Sequence, residues 1–115
     1  MQPKQLQDLA IEALNDLKAV DLTAFDVSKL TTITDFMIIC SGRSNRHVKS
    51  LAENVITTAK KHQIKHISVE GEREGEWVIV DLGDVVVHVM LPTTRSFYQL
   101  EDLWEPVQQH REKHR

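Results

Sequence analysis

The strongest limit on the fold comes from one valine-rich stretch, Trp77-Val78-Ile79-Val80-Asp81 and then Val85-Val86-Val87-His88-Val89-Met90-Leu91. β-Branched side chains are stiff at χ1 and fit a pleated surface. Two such runs separated by a short glycine-containing segment specify an antiparallel hairpin. With Leu82-Gly83 as an unbulged loop, Val80 faces Val85, Val78 faces Val87 and Trp77 faces His88. The alternation of period two puts Val78, Val80, Val85, Val87 and Val89 on one side. Trp77, Ile79, Val86, His88 and Met90 point to the other. The all-valine side is the expected core face, and the Trp/His side is either covered by a helix or partly open.

A sheet of this kind needs helices to bury it, and two stretches qualify. Leu6, Leu9, Ala10, Ala13, Leu14 and Leu17 recur at helical spacing after Pro3, which suits a first turn. Val48, Leu51, Ala52, Val55, Ile56 and Ala59 repeat the pattern after Ser44, a natural N-cap, and before the closing cations Lys60 and Lys61. Leu22 to Val27 reads as a strand. Ile33 to Cys40 reads as a second strand, covered on both faces because its apolar run is nearly continuous. Ile64 to Val69 is weakly strand-like. Pro92 to Arg95 reads as a turn, followed by a short helix carrying Phe97, Leu100, Leu103 and Trp104. The expected architecture is α/β: a single domain with a mixed sheet of about five strands and helices packed on it. Residues 105–115 are expected to form a polar, basic tail.

Composition narrows the function. The 115 residues carry a formal net charge of −3. That balance disfavours direct nucleic-acid readout, which needs a positive surface, and suits a basic protein partner. The single cysteine, Cys40, permits no internal disulfide and sits in an apolar run, where a small buried hydrophobe is expected. No apolar leader precedes the first helix, and no stretch is long enough to span a membrane. A cytoplasmic protein without a membrane partner is expected.

The residue patterns of common chemistries are incomplete in this chain. His62/His66 and His110/His114 have helical spacing, but neither pair has a third ligand at a recognisable distance, so no metal site is expected. Ser41-Gly42-Arg43-Ser44 joins a strand to a helix like a phosphate cradle, yet lacks the P-loop lysine and the three-glycine dinucleotide pattern. A nucleotidyltransferase would add a pair of magnesium-binding carboxylates, and no Asp-x-Asp follows Ser44. Asp81 and Asp84 bracket the hairpin turn, and the acids from Glu70 to Glu76 read as a solvated loop. A nucleotide-binding enzyme using Ser41, Gly42 and Ser44 is the alternative reading. The favoured one has no catalytic residue and no cofactor.

What stands out instead is an aromatic and acidic cluster near the end of the chain. Trp77, Phe97, Tyr98, Leu100, Glu101, Asp102 and Trp104 hold most of an aromatic content of only 5%. Trp and Tyr are favoured interface anchors. Phe97 and Trp104 read as packing residues, and Trp77 and Tyr98 as contact residues.

Several motifs in order resemble one known family, the Iojap family of ribosomal silencing factors. They are Thr34-Asp35-Phe36-Met37-Ile38-Ile39, Ser41-Gly42-Arg43-Ser44-Asn45-Arg46-His47-Val48, Val69-Glu70-Gly71, the stretch from Trp77 to Val89, and Arg95-Ser96-Phe97-Tyr98-Gln99-Leu100-Glu101-Asp102-Leu103-Trp104. Phe36 stands where the family often has tyrosine. The resemblance implies a silencing-factor domain over 1–104 with a nucleotidyltransferase-like fold that lacks the catalytic acids. It also implies binding to ribosomal protein fourteen of the large subunit, a steric block to small-subunit joining, and repression of translation when nutrients are scarce. A homodimer is implied for the free protein. On this basis Trp77, His88, Tyr98, Leu100, Glu101 and Asp102 are the expected partner-binding residues.

Overall fold

The computed structural model describes the backbone of residues 1–98 and the side chains of residues 1–95. Its elements run α1 (Pro3–Asp16), β1 (Val20–Asp26), β2 (Phe36–Ser41), α2 (Asn45–Lys61), β3 (Ser68–Glu70), β4 (Trp77–Asp81), β5 (Val85–Met90) and α3 (Pro92–Tyr98). The strands form one five-stranded sheet in the order β1-β2-β5-β4-β3. β2 and β5 are parallel, and the other neighbours are antiparallel. The expected mixed sheet with packed helices is therefore present, in the expected element order.

Two apolar clusters lie on opposite faces of the sheet. The larger joins the α1 stripe (Leu6, Ala10, Ala13, Leu14) and the α2 stripe (Val48, Leu51, Ala52, Val55, Ala59) to Val78, Val80, Val85, Val87 and Val89. The all-valine side is the core face, as its alternation requires. On the other face Phe25, Val27, Ile39 and Met90 are buried together, with Met37 and Trp77 packed against them. No α1 or α2 residue belongs to this second cluster. Neighbouring residues of β2 are thus buried on opposite sides, Ile38 against the helices and Ile39 away from them.

Local chemistry sets the helix ends. Pro3 opens α1, where its missing N–H costs nothing, and Gln2 and Gln5 form a reciprocal capping box. Ser44 caps α2, its Oγ accepting from the His47 N–H at 3.0 Å. His47 also ties the two helices together. The Arg43 N–H donates to His47 Nδ1 at 2.9 Å, which puts the ring proton on Nε2, and Nε2 donates to the Leu17 carbonyl at 2.7 Å. Replacing His47 with Ala should cost about 1–2 kcal/mol for these two partly exposed bonds. A chemical-denaturation midpoint measures it, and an unchanged midpoint would show that the tie carries no weight.

The structure corrects the sequence reading at four places. The hairpin register is shifted by two residues: Trp77 pairs with Met90, Ile79 with His88 and Val80 with Val87. The turn is Gly83-Asp84, because the Leu82 N–H donates to the Val85 carbonyl at 2.8 Å. Gly83 supplies the positive φ that such turns need, +86°, and Asp81 Oδ1 accepts its N–H at 2.8 Å. An even shift leaves every side chain on its expected face. β2 begins at Phe36, and Ile33, read as a strand residue, is 82% exposed in the preceding loop. The weak strand signal from Ile64 shrinks to three residues of β3. Pro92 to Arg95, read as a turn, is the first part of α3, with proline again opening the helix.

Candidate functional site

The candidate site lies on the second face of the sheet, around Trp77 and His88. Trp77 opens β4, and His88 lies diagonally across on β5, opposite Ile79. The indole Nε1–H donates to His88 Nδ1 at 3.0 Å, with ring centroids 6.0 Å apart and planes tilted by 42°. Trp77 is half-buried, while His88 is only 7% exposed. Burial in this apolar setting lowers the His88 pKa from 6.5 to about 4, so its ring is neutral.

The backbone under Trp77 is fixed by its neighbours. Gly71 follows β3 with φ of +80°, and a Cβ on it would lie 2.0 Å from the Trp77 carbonyl oxygen. Only glycine lets the β3–β4 loop pass this close. At the other end of β5, the Leu91 N–H donates to the Glu76 carbonyl at 3.0 Å, which locks the entry to α3 beside the start of β4.

Arg95 anchors α3 to the sheet. It is 9% exposed, and its guanidinium donates to the Asp21 carbonyl at 2.7 Å and to Ser41 Oγ at 3.4 Å. Asp21 has a positive φ, 48°, where the β1–β2 register shifts. That bulge frees a carbonyl from the ladder, and the guanidinium takes it. The sequence reading missed Arg95, Gly71 and His47 as organising residues. Arg95 appeared there only in a turn and a family motif, and His47 only in a family motif, and each bonds a partner remote in the chain.

Of the expected partner-binding residues, the structure brings Trp77 and His88 together. Tyr98 is the last residue of α3, and its side chain lies outside the described residues. Leu100, Glu101 and Asp102, with the packing residue Trp104 and the tail, also lie outside them.

The strand–turn–helix at Ser41 is occupied by its own hydrogen bonds. The Gly42 N–H donates to the Met90 carbonyl at 2.9 Å, the Arg43 N–H to His47, and the Val48 N–H to the Ser44 carbonyl at 2.9 Å. Ser41 Oγ receives Arg95, and Ser44 Oγ serves as the cap. These groups are therefore spent on holding the turn. Asp81 caps the hairpin turn and stands 3.8 Å from His66 Nε2, while His62 Nδ1 lies 3.0 Å from its own helix's Thr58 carbonyl. Among the described residues no group of three or more His, Cys, Asp or Glu could hold a metal ion. Cys40 is buried and its thiol is pushed up to about 12 by that burial, against the opposing pull of Arg95, which leaves it unreactive at neutral pH. No helix of the described residues is long and apolar enough to cross a membrane.

Comparison with known proteins gives one consistent result. A family model described as "Ribosomal silencing factor during starvation" matches residues 1–115. The ribosomal silencing factor RsfS of Chromobacterium violaceum is 48% identical over 104 residues, covering 90% of this chain and 85% of that protein. The RsfS of Haemophilus influenzae is 43% identical over 99 residues, covering 86% of this chain and 97% of that protein. An X-ray crystal structure of a Chromobacterium violaceum protein superposes with a TM-score of 0.89 at 48% identity, covering 91% of this chain and 88% of that one. Plant Iojap proteins also match, the chloroplastic one of Zea mays at 31% over 93 residues, with 81% of this chain and 40% of that protein covered. The chain belongs to the ribosomal silencing factor family, the family of Iojap.

Proposed function

We propose that this protein represses translation in the cytoplasm by docking on ribosomal protein fourteen of the large subunit and so keeping the small subunit from joining. The observation that carries this reading is the Trp77–His88 pair, set on the sheet face that α1 and α2 leave to a separate cluster, in a chain of the silencing-factor family. A half-buried indole is the kind of rigid, amphipathic anchor that interfaces favour. Tyr98 and Leu100 extend the apolar anchor, and Glu101 and Asp102 pair with lysine or arginine on the basic partner. The chain's net charge of −3 favours encounter with such a partner.

The block itself needs no chemistry. A body of 39 × 34 × 22 Å held at a joining face overlaps whatever should sit there. Silencing then follows mass action, with this protein competing against subunit association. In the free state the protein forms a homodimer through the same surface, so dimer and docked monomer exclude each other.

Sedimentation of separated ribosomal subunits with and without saturating protein tests the reading. Fewer joined ribosomes, with the protein migrating beside the large subunit, is the expected result. An unchanged yield of joined ribosomes rejects it. Trp77→Ala should weaken large-subunit binding by about 2 kcal/mol, or roughly thirtyfold, while leaving the fold intact. Undiminished binding by a folded Trp77→Ala protein would remove Trp77 from the interface.

A further inference from the structure

An indole N–H can only donate, so the 3.0 Å contact with Trp77 requires a lone pair on His88 Nδ1. The ring is neutral, and its one proton therefore sits on Nε2. Among the described residues that Nε2–H has no acceptor, and the residue is only 7% exposed. A buried donor without a partner destabilises a fold by about 1–3 kcal/mol, and no described residue spares His88 that cost. His88 lies beside half-buried Trp77, on the face read above as the docking site. Buried Ile39 is its register partner on β2, and buried Met90 lies two residues along β5. A carboxylate brought into that setting would be far costlier to desolvate than a neutral carbonyl that accepts the bond.

We propose that His88 is a specificity-determining residue whose Nε2–H donates to a neutral carbonyl oxygen of the docked ribosomal protein, and that Trp77 positions it by fixing the tautomer. This rests on the docking reading and identifies one bond within it. The described residues leave this donor open, and complex formation satisfies it. A competing surface with no carbonyl at that place leaves the donor buried and unpaired, which is how the contact discriminates.

Two amide substitutions separate the two ring nitrogens. His88→Gln places an N–H near the Nε2 position, and His88→Asn places an oxygen near the Nδ1 position. With purified ribosomal protein fourteen, His88→Gln should bind within about threefold of the parent, and His88→Asn should lose about tenfold or more. Nitrogen-15 NMR of the unsubstituted protein should show the Nε2–H tautomer, and that proton's resonance should move when the partner is added. An Nδ1–H tautomer overturns the proposal, as does an Nε2–H resonance unmoved in the saturated complex. Equal binding by both folded variants, or better binding by His88→Asn, also overturns it. In each of these cases the unsubstituted protein still binds and the docking reading stands. Failure of the unsubstituted protein to bind ribosomal protein fourteen counts against the docking reading, and this proposal falls with it.

Discussion

Gly71→Ala should lower the free energy of unfolding by roughly 2–5 kcal/mol, a large share of what a domain of this size has to lose. Two separate costs add. A non-glycine residue in the left-handed region costs roughly 1–2 kcal/mol, and Gly71 has φ of +80°. The new methyl would also stand 2.0 Å from the Trp77 carbonyl oxygen, a backbone atom that cannot rotate away. Overpacking of that kind costs about 1–3 kcal/mol by itself. The backbone must yield at the start of β4, which moves the indole that the docking reading depends on. Large-subunit binding should therefore fall together with stability. Urea unfolding measures the first effect and subunit co-sedimentation the second. A loss of stability below about 1 kcal/mol would show that the loop tolerates a side chain there, and that Gly71 does not set the place of Trp77.

Acid should destabilise the protein through His88, by roughly 3 kcal/mol when the full effect has developed. The sign follows from the direction of its shift. The His88 pKa is lowered by burial from 6.5 to about 4, so below pH 6.5 the unfolded chain takes up a proton that the folded chain refuses. The stability associated with the neutral ring is complete above pH 6.5. It is lost progressively as the pH falls to about 4, and it changes little further below that. The informative quantity is a difference between two proteins that share every other titratable group. Stability measured from pH 7 to pH 4 should fall more steeply in the parent than in His88→Gln, and the two curves should run parallel below pH 4. Parallel curves across the whole range would mean that His88 is protonated as easily in the fold as outside it.

Contacts between neighbours along the chain settle the local features. The spacing of Leu6, Ala10, Ala13 and Leu14, and of Val48, Leu51, Ala52 and Val55, is enough to define a buried stripe on each helix. Strict alternation around Val78, Val80, Val87 and Val89 defines a buried sheet face in the same way. Ser44 announces a helix start because capping is a contact across three residues. The family motifs, spread over nearly the whole chain, made the docking hypothesis legible.

Other features belong to residues that meet only across the fold. Alternation fixes which face a valine takes, but not which valine lies opposite it, and so the register waited on the Gly83-Asp84 turn. Arg95 reaches a carbonyl 74 residues away, and that bond holds as α3 a segment that reads locally as a turn. Gly71 is a loop glycine by its sequence, and it becomes irreplaceable only where the Trp77 backbone passes beneath it. The proton on His88 sits where it does because an indole on the neighbouring strand can donate and cannot accept. Local periodicity carries the first kind of information because its physics is short in range. The second kind depends on distances that exist only after the chain has closed on itself.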